Sequence, residues 1–263
     1  MEIYYVLVII KIVLLTLEVQ QVVYMRLTGT EMFSGILLTA AALASGRSQS
    51  SEIWPDKIIE VQPLGSGGNI VWEWHAWDHL IQDYDSSKAN YGVIADHPEL
   101  LDVNCGSGGF GGWGGDWMHV NGTSYNPELD QIVFSSHYLK QFYVIDHSTT
   151  TQEAAGHTGG RYGKGGDILY RWGCPQNYYR GTSADQVFYT VHNSYWVPAG
   201  LPGAGNIIAF NNGGGRPDGS YSSIEEVVPF SNGNGNNILN PGEAYGPDNP
   251  AWRYTACRFY GSG

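Results

Sequence analysis

The feature that most constrains this chain is that it repeats itself. Three stretches share one layout: a turn and a short apolar strand, a strand ending in an acidic residue, and a strand ending in Trp or Tyr. The first runs through SGILLTAAAL (34–43), DKIIEV (56–61) and GNIVWEW (68–74). The second runs through DQIVFSS (130–136), FYVIDH (142–147) and GDILYRW (166–172). The third runs through GNIIAFNNG (205–213), SSIEEVV (222–228) and PAWRY (250–254). Ile58-Ile59-Glu60, Val144-Ile145-Asp146 and Ile224-Glu225-Glu226 recur at one place, and Trp72, Tyr170 and Trp252 close the units. Short strands repeated between Gly-rich turns are the pattern of propeller blades, each of which buries its faces only against its neighbours. The expected fold class is therefore all-β, a β-propeller with about three to four blades covered by this chain. A sandwich of irregular strands is the alternative.

Two units also have an opening strand that holds a histidine. DWMHVNGTSYN carries His119, 13 residues before Ile132, and YTVHNSYWV carries His192, 15 before Ile207. The innermost strand of each blade lines a propeller's channel, so equivalent positions on successive blades converge there. His119 and His192 are thus the leading site candidates; the plain alternative is a histidine bonded to a neighbouring loop. His137, in FSSHYL, follows the second strand of the His119 unit and can offer a third donor. His147 and His157 fall in outer strands and loops and read as bystanders, and His97, before Pro98, reads as a turn residue. His75 and His79 in WHAWDHL stand four apart with Asp78 beside them, a superficial metal pair. Zinc takes three or four ligands and no third is evident, so both are read as packed or loop histidines and no metal is assigned. The chain has no HExxH, GxSxG or SxxK motif.

Composition agrees with this architecture. The 263 residues suffice for one large all-β domain or two small ones, and Gly 36, Trp 9 and Tyr 18 supply turns and half-buried strands. A formal net charge of −12 repels phosphate backbones, so no nucleic-acid partner is expected. Cys105, Cys174 and Cys257 fit no zinc spacing and are too few for a disulfide scaffold; one bridge plus a thiol, or three thiols, both remain open. CGSGGFGGWGG (105–115) has the glycines of a phosphate cradle but neither GK[ST] nor a strand-to-helix setting, and no cofactor is expected. GHTGGRYGKGGD (156–167) and SNGNGNNILNPGEAYGPDNP (231–250) read as long surface loops, of a length that is often functional. DHLIQDY (78–84) hints at a helical turn.

The amino-terminal run IYYVLVIIKIVLLTL (3–17) is short for a membrane span and lacks a basic leader, since Glu2 comes first. A second leader-like segment starts at Met25-Arg26 and runs through GILLTAAALASG, ending like a cleavage site. Because residues 34–43 stand where other units have GNIIAF and DQIVFS, they are read as a strand. The expected organisation is a hydrophobic, signal- or anchor-like segment over 1–30 and a partial propeller over 31–263. Beyond such an anchor, no stable membrane insertion is expected.

GNIVWEWHAWDHLIQDYD, DWMHVNGTSYNPELDQIVFSSHYLKQFYVIDHSTT, VHNSYWVPAGLPGAGNIIAFNNG and AYGPDNPAWRYTA together resemble the bacterial arylsulfate sulfotransferases, over roughly residues 34 to 257. The resemblance implies a six-bladed propeller that works in the periplasm or outside the cell. It implies transfer of a sulfuryl group from an aryl sulfate to a phenol, without a nucleotide donor, through a transiently sulfated histidine. His192 matches the nucleophile, His119 a second histidine that binds the sulfuryl oxygens, and His137 falls where the characterised enzymes have an arginine. Small aryl sulfates and phenols are the implied partners.

Three departures stand beside the likeness. Histidine at 137 lacks arginine's permanent charge and bidentate fork. The family has a further active-site histidine on an earlier blade, yet counting back from Ile36 reaches Gln21, Val22 and Val23, and no histidine precedes His75. The chain is short for six blades and stops at CRFYGSG, where another blade is expected to begin. The missing early histidine and the absent arginine favour the competing reading, a non-catalytic propeller that binds glycans or proteins through its loops. A propeller quinoprotein is weaker still, because no carboxylate cluster for calcium is evident.

Overall fold

The structure, a computed structural model, describes residues 23–27, 30–36, 40–41, 46, 52–53, 55–64, 67–106 and 116–256. The run 3–17, positions 21 and 22, Cys257 and most of the Gly-rich loop 105–115 lie outside the described residues.

The strands in chain order are β1 (Val23–Leu27), β2 (Thr30–Ile36), β3 (Ala40–Ala41), β4 (Glu52–Ile53), β5 (Asp56–Leu64), β6 (Gly67–His75), β7 (Leu80–Ile81) and β8 (Leu101–Asp102). They continue with β9 (Val120–Asn126), β10 (Gln131–Ser136), β11 (Gln141–Asp146), β12 (Tyr170–Trp172), β13 (Val191–Trp196), β14 (Ile207–Asn211), β15 (Ser222–Val227) and β16 (Trp252–Ala256). Three four-stranded antiparallel sheets result: β1-β2-β5-β6, β9-β10-β11-β12 and β13-β14-β15-β16. Each is a meander of strands in chain order, which is a propeller blade. The first strands of the blades neighbour one another, β1 beside β9 and β9 beside β13.

Strand periodicity explains how the blades stack. Successive side chains of a strand face opposite ways, and every residue of β10 and β11 is buried. Ile132, Phe134, Tyr143 and Ile145 join a core shared with Ile58, Trp72 and Trp74 of the first blade. Val133, Phe142 and Val144 join a second core with Val191, Ile207, Ala209 and Val227 of the third. The middle blade is therefore apolar on both faces, and β10 and β11 read as near-continuous hydrophobic runs.

Two expectations shift. The strand that pairs with β5 is Thr30–Ile36, in register from Glu31↔Val61 to Ile36↔Asp56, so it starts four residues before the expected 34–43. The helical turn expected over 78–84 is a 3-10 turn at Ala76–His79, and Leu80–Ile81 is instead a strand, parallel to β8. Trp74 and the buried β-branched Ile81 on either side favour extended backbone there.

Arg171, wholly buried in β12, is the most demanding side chain of the middle blade. Its Nε and Nη2 donate to Gln141 Oε1 at 3.1 and 2.8 Å, and its Nη1 donates to the carbonyls of Leu100 at 2.8 Å and Pro98 at 3.3 Å. The guanidinium also lies over the rings of Tyr143 and Tyr178, at 5.1 and 4.4 Å. A planar fork makes these contacts together and an ammonium does not. Arg171→Lys is expected to lose on the order of 3 kcal/mol of stability in urea unfolding, against a surface Arg→Lys control near zero.

Candidate active site

The site forms where β9 and β13, the innermost strands of two blades, meet. Gly122 of β9 sits against the backbone of Asn193: a Cβ there would stand 2.6 Å from Asn193 Cα and 2.8 Å from its nitrogen. Only glycine permits that approach. Asn121 then donates from Nδ2 to the Val191 carbonyl at 2.8 Å, and its Oδ1 accepts from Ser135 Oγ at 2.7 Å. The pairing of β13 with β14 slips between His192 and Tyr195, a bulge that re-aims the chain at His192.

His119, His137 and His192 come together here. The His137 ring lies 5.4 Å from the His119 ring and 5.0 Å from that of His192, centroid to centroid, and all three are half-buried. The His137 amide donates to the His119 carbonyl at 3.1 Å, which fixes the first pair. Tyr138 packs its ring against both His119 and His137, at 5.2 and 4.7 Å. The backbone is strained at this place: His119, Thr190 and Asn193 have φ of 54°, 63° and 51°. Left-handed backbone is costly for a β-branched threonine, and such strain gathers at functional sites.

The three imidazoles have different electrostatic settings. His119 Nδ1 meets Asp116 Oδ2 at 2.7 Å, and that hydrogen bond to a carboxylate raises its pKa against the opposing effect of burial. His119 is thereby favoured as an imidazolium with Nε2–H as a donor. Burial lowers the pKa of His192, with repulsion from His119 a smaller cause. Its Nδ1 lies 3.1 Å from the Thr190 carbonyl. A carbonyl accepts only, so Nδ1 carries the proton and Nε2 of the neutral ring keeps its lone pair. His137 is pushed down to about 4 by burial and then by its histidine neighbours, so it is neutral at pH near 7. Its Nδ1 is buried without a hydrogen-bond partner, which suits the unprotonated nitrogen and leaves the N–H at Nε2.

Sequence reasoning missed the second layer. Asp116 stands three residues before His119 in DWMH, a spacing that pointed to it. Asp56, at the start of β5, accepts from the Val120 amide at 3.1 Å, and nothing local in DKIIEV marks that role. His147 and His75 stand apart from this cluster. His147 bridges Asp130 at 2.7 Å and Glu60 at 3.2 Å, and His75 pairs with Glu73 at 2.9 Å. A cavity of about 990 Å³ opens between loops of the second and third blades, lined by Arg180, Tyr189 and Arg216, and it includes none of the three clustered histidines.

Antiparallel blades whose innermost strands gather a row of histidines define a propeller-type protein with a polar site at the inner end of its blades. A model of the arylsulfotransferase (ASST) family matches residues 28–233, and the chain belongs to that family. Membership supports arylsulfotransferase activity in general. A comparison with curated proteins gave no match.

Asp56 supplies a test of this electrostatic layer. Complete burial, with Asp116 nearby, raises its carboxyl to about 7. A raised pKa means that the fold prefers the protonated acid: this stability is present below the unfolded value and is lost as pH rises through about 7. Asp56→Asn is neutral at every pH and keeps an acceptor for Val120. It is expected to melt at least ~3 °C above the parent at about pH 8.5 and level with it at about pH 4. Parallel melting curves at both pH values would reject a buried, protonated Asp56.

Proposed function

We propose that this chain is an arylsulfate sulfotransferase that uses His192 as its nucleophile. One observation carries the reading: the bond from His192 Nδ1–H to the Thr190 carbonyl, which leaves the Nε2 lone pair unprotonated in a ring that packs on His137, itself packed on the carboxylate-backed His119. Nε2 attacks the sulfur of an aryl sulfate, the S–N bond forms as the S–O(aryl) bond breaks, and the phenolate leaves. The His119 imidazolium, with the neutral His137 N–H beside it, stabilises the negative charge on the sulfuryl oxygens. His119 also gives a proton to the departing phenolate. In the second half, an acceptor phenol returns that proton to His119, and its oxygen attacks the sulfur. The S–N bond breaks, and neutral His192 and protonated His119 are restored. No nucleotide takes part.

Aryl sulfates and phenols are the substrates in this reading. The family likeness supports a periplasmic or extracellular setting. Among the described residues no helix is long and apolar enough to cross a membrane.

The first test is turnover of 4-nitrophenyl sulfate with phenol as acceptor. His192→Ala is expected to reduce nitrophenolate release on the order of 10³-fold or more, and His119→Ala about 10²-fold. Release that is independent of phenol, or equal in His192→Ala, would sink the proposal.

The rate should follow a bell in pH. His192 must be neutral and its pKa is lowered, so the acid limb lies below the ordinary histidine value of about 6.5. His119 must be protonated and its pKa is raised, so the alkaline limb lies above that value. Asp116→Asn removes the carboxylate that holds the His119 proton and should move the alkaline limb to lower pH while leaving the acid limb in place. An alkaline limb that stays put would assign it to a group other than His119.

A further inference from the structure

A second histidine cluster lies away from the innermost strands, where the outer strand of the first blade meets the connection between β11 and β12. His79 follows β6 in the 3-10 turn Ala76–His79. His157 and Asp167 come from the Gly-rich connection, which closes on itself through backbone bonds from Gly165 to the Gly159 carbonyl and from Gly166 to the Gly156 carbonyl. That closure brings His157 and Asp167 to one point although they stand ten residues apart. Asp167 Oδ1 lies 2.9 Å from His79 Nδ1 and 2.7 Å from His157 Nδ1. The three ligand atoms lie within 4.8 Å of one another.

The setting of His79 decides what belongs between them. The ring is wholly buried and stacks on Trp74 with planes 3° apart. Trp74 is itself held by its Nε1–H donating to the Gly166 carbonyl at 2.7 Å. His79 Nε2 lies 2.9 Å from the Ala154 carbonyl and therefore carries the proton. With Nε2–H pinned there, Nδ1 points at a carboxylate oxygen, and that contact takes either a second ring proton or a metal ion between the two atoms. An imidazole whose far N–H is pinned by a backbone carbonyl is the usual arrangement of a metal-ligating histidine. The ring is also crowded there: a Cβ at position 166 would meet Ala154 O and would stand 2.6 Å from His79 Nε2, so only glycine fits.

We infer that His79 Nδ1, His157 Nδ1 and Asp167 form a binding site for a divalent transition metal of the zinc class. Two imidazoles and one carboxylate make an N₂O set suited to zinc and cobalt. Tetrahedral coordination sets ligand atoms about 3.3 Å apart, so the present contacts open by about half an ångström. His157 supplies the movement at its own contact with Asp167, because its side chain is 59% exposed, and a small rotation of the Asp167 carboxylate supplies the other. The fourth position falls to water from a cavity of about 490 Å³, lined by His157 together with Trp77, Asp78 and His97, which is also the entry path. Metal binding displaces any protons shared between the nitrogens and the carboxylate, and it ties the first blade to the second.

Cobalt(II) is the probe. The chelator-treated full-length chain, titrated with cobalt(II), is expected to develop the visible d–d bands of a tetrahedral site, saturating at one ion per chain and abolished by zinc. Zinc should also raise the melting temperature. His157→Ala, an exposed substitution that leaves the fold standing, should weaken cobalt binding about tenfold or more, whereas His97→Ala, on the same cavity wall, should not. A wild-type chain that gives no such bands overturns the site and leaves a proton as the cation between His79 and Asp167. Bands that persist unchanged in His157→Ala overturn it equally.

Discussion

The close approach of β9 to β13 governs the rest of the site. Gly122 lets the Asn193 backbone come nearer than any side chain would permit, and the Asn121 side chain locks the gap by bonding the Val191 carbonyl. His119 immediately precedes β9, His137 immediately follows β10, and His192 lies in β13. Their spacing is therefore set by backbone packing between two blades, and the side chains need little freedom of their own. A constellation held this way loses little entropy on binding substrate. The left-handed residues around it are tolerated because two buried cores hold the strands on either side.

Three imidazoles in a row cannot all be charged, and the fold resolves the conflict by environment. The hydrogen bond to Asp116 raises the pKa of His119; burial, and then the neighbouring histidines, lower those of His137 and His192. Three chemically identical side chains are thus pushed toward different protonation preferences. His137, pushed down to about 4, adds no positive charge to the cluster at neutral pH. Asp56, raised to about 7 by burial, is held as the protonated acid below that pH and then adds no second negative charge beside Asp116.

The outer strands serve a different purpose. Trp72 and Trp74, which end the first repeat, donate to Thr149 and to the Gly166 carbonyl, so the first blade is stitched to the β11–β12 connection of the second. The helical turn of that connection, α1 (Thr151–Ala154), is capped by Thr150 and Glu153, each bonding the other's backbone. A rigid Gly-rich connection explains how His157, a loop residue by sequence, comes to face the buried His79.

The amino-acid sequence by itself determined the blades. The short apolar runs, the acidic strand ends and the closing aromatics mark β5, β6, β10, β11, β14 and β15 to within a few residues, because strand formation is written locally. The recurrence of a histidine in one slot of two repeats likewise singled out His119 and His192. Tertiary structure alone decided the protonation pattern and the partners. Asp116 lies close in sequence to His119, but Asp56, the Thr190 carbonyl and the neighbouring rings act through proximity that follows only from blade stacking. The same holds for His79 and Asp167, separated by 88 positions in the chain. Local periodicity specifies a strand and its faces, whereas the charge of a buried side chain depends on whatever the rest of the fold brings within a few ångströms of it.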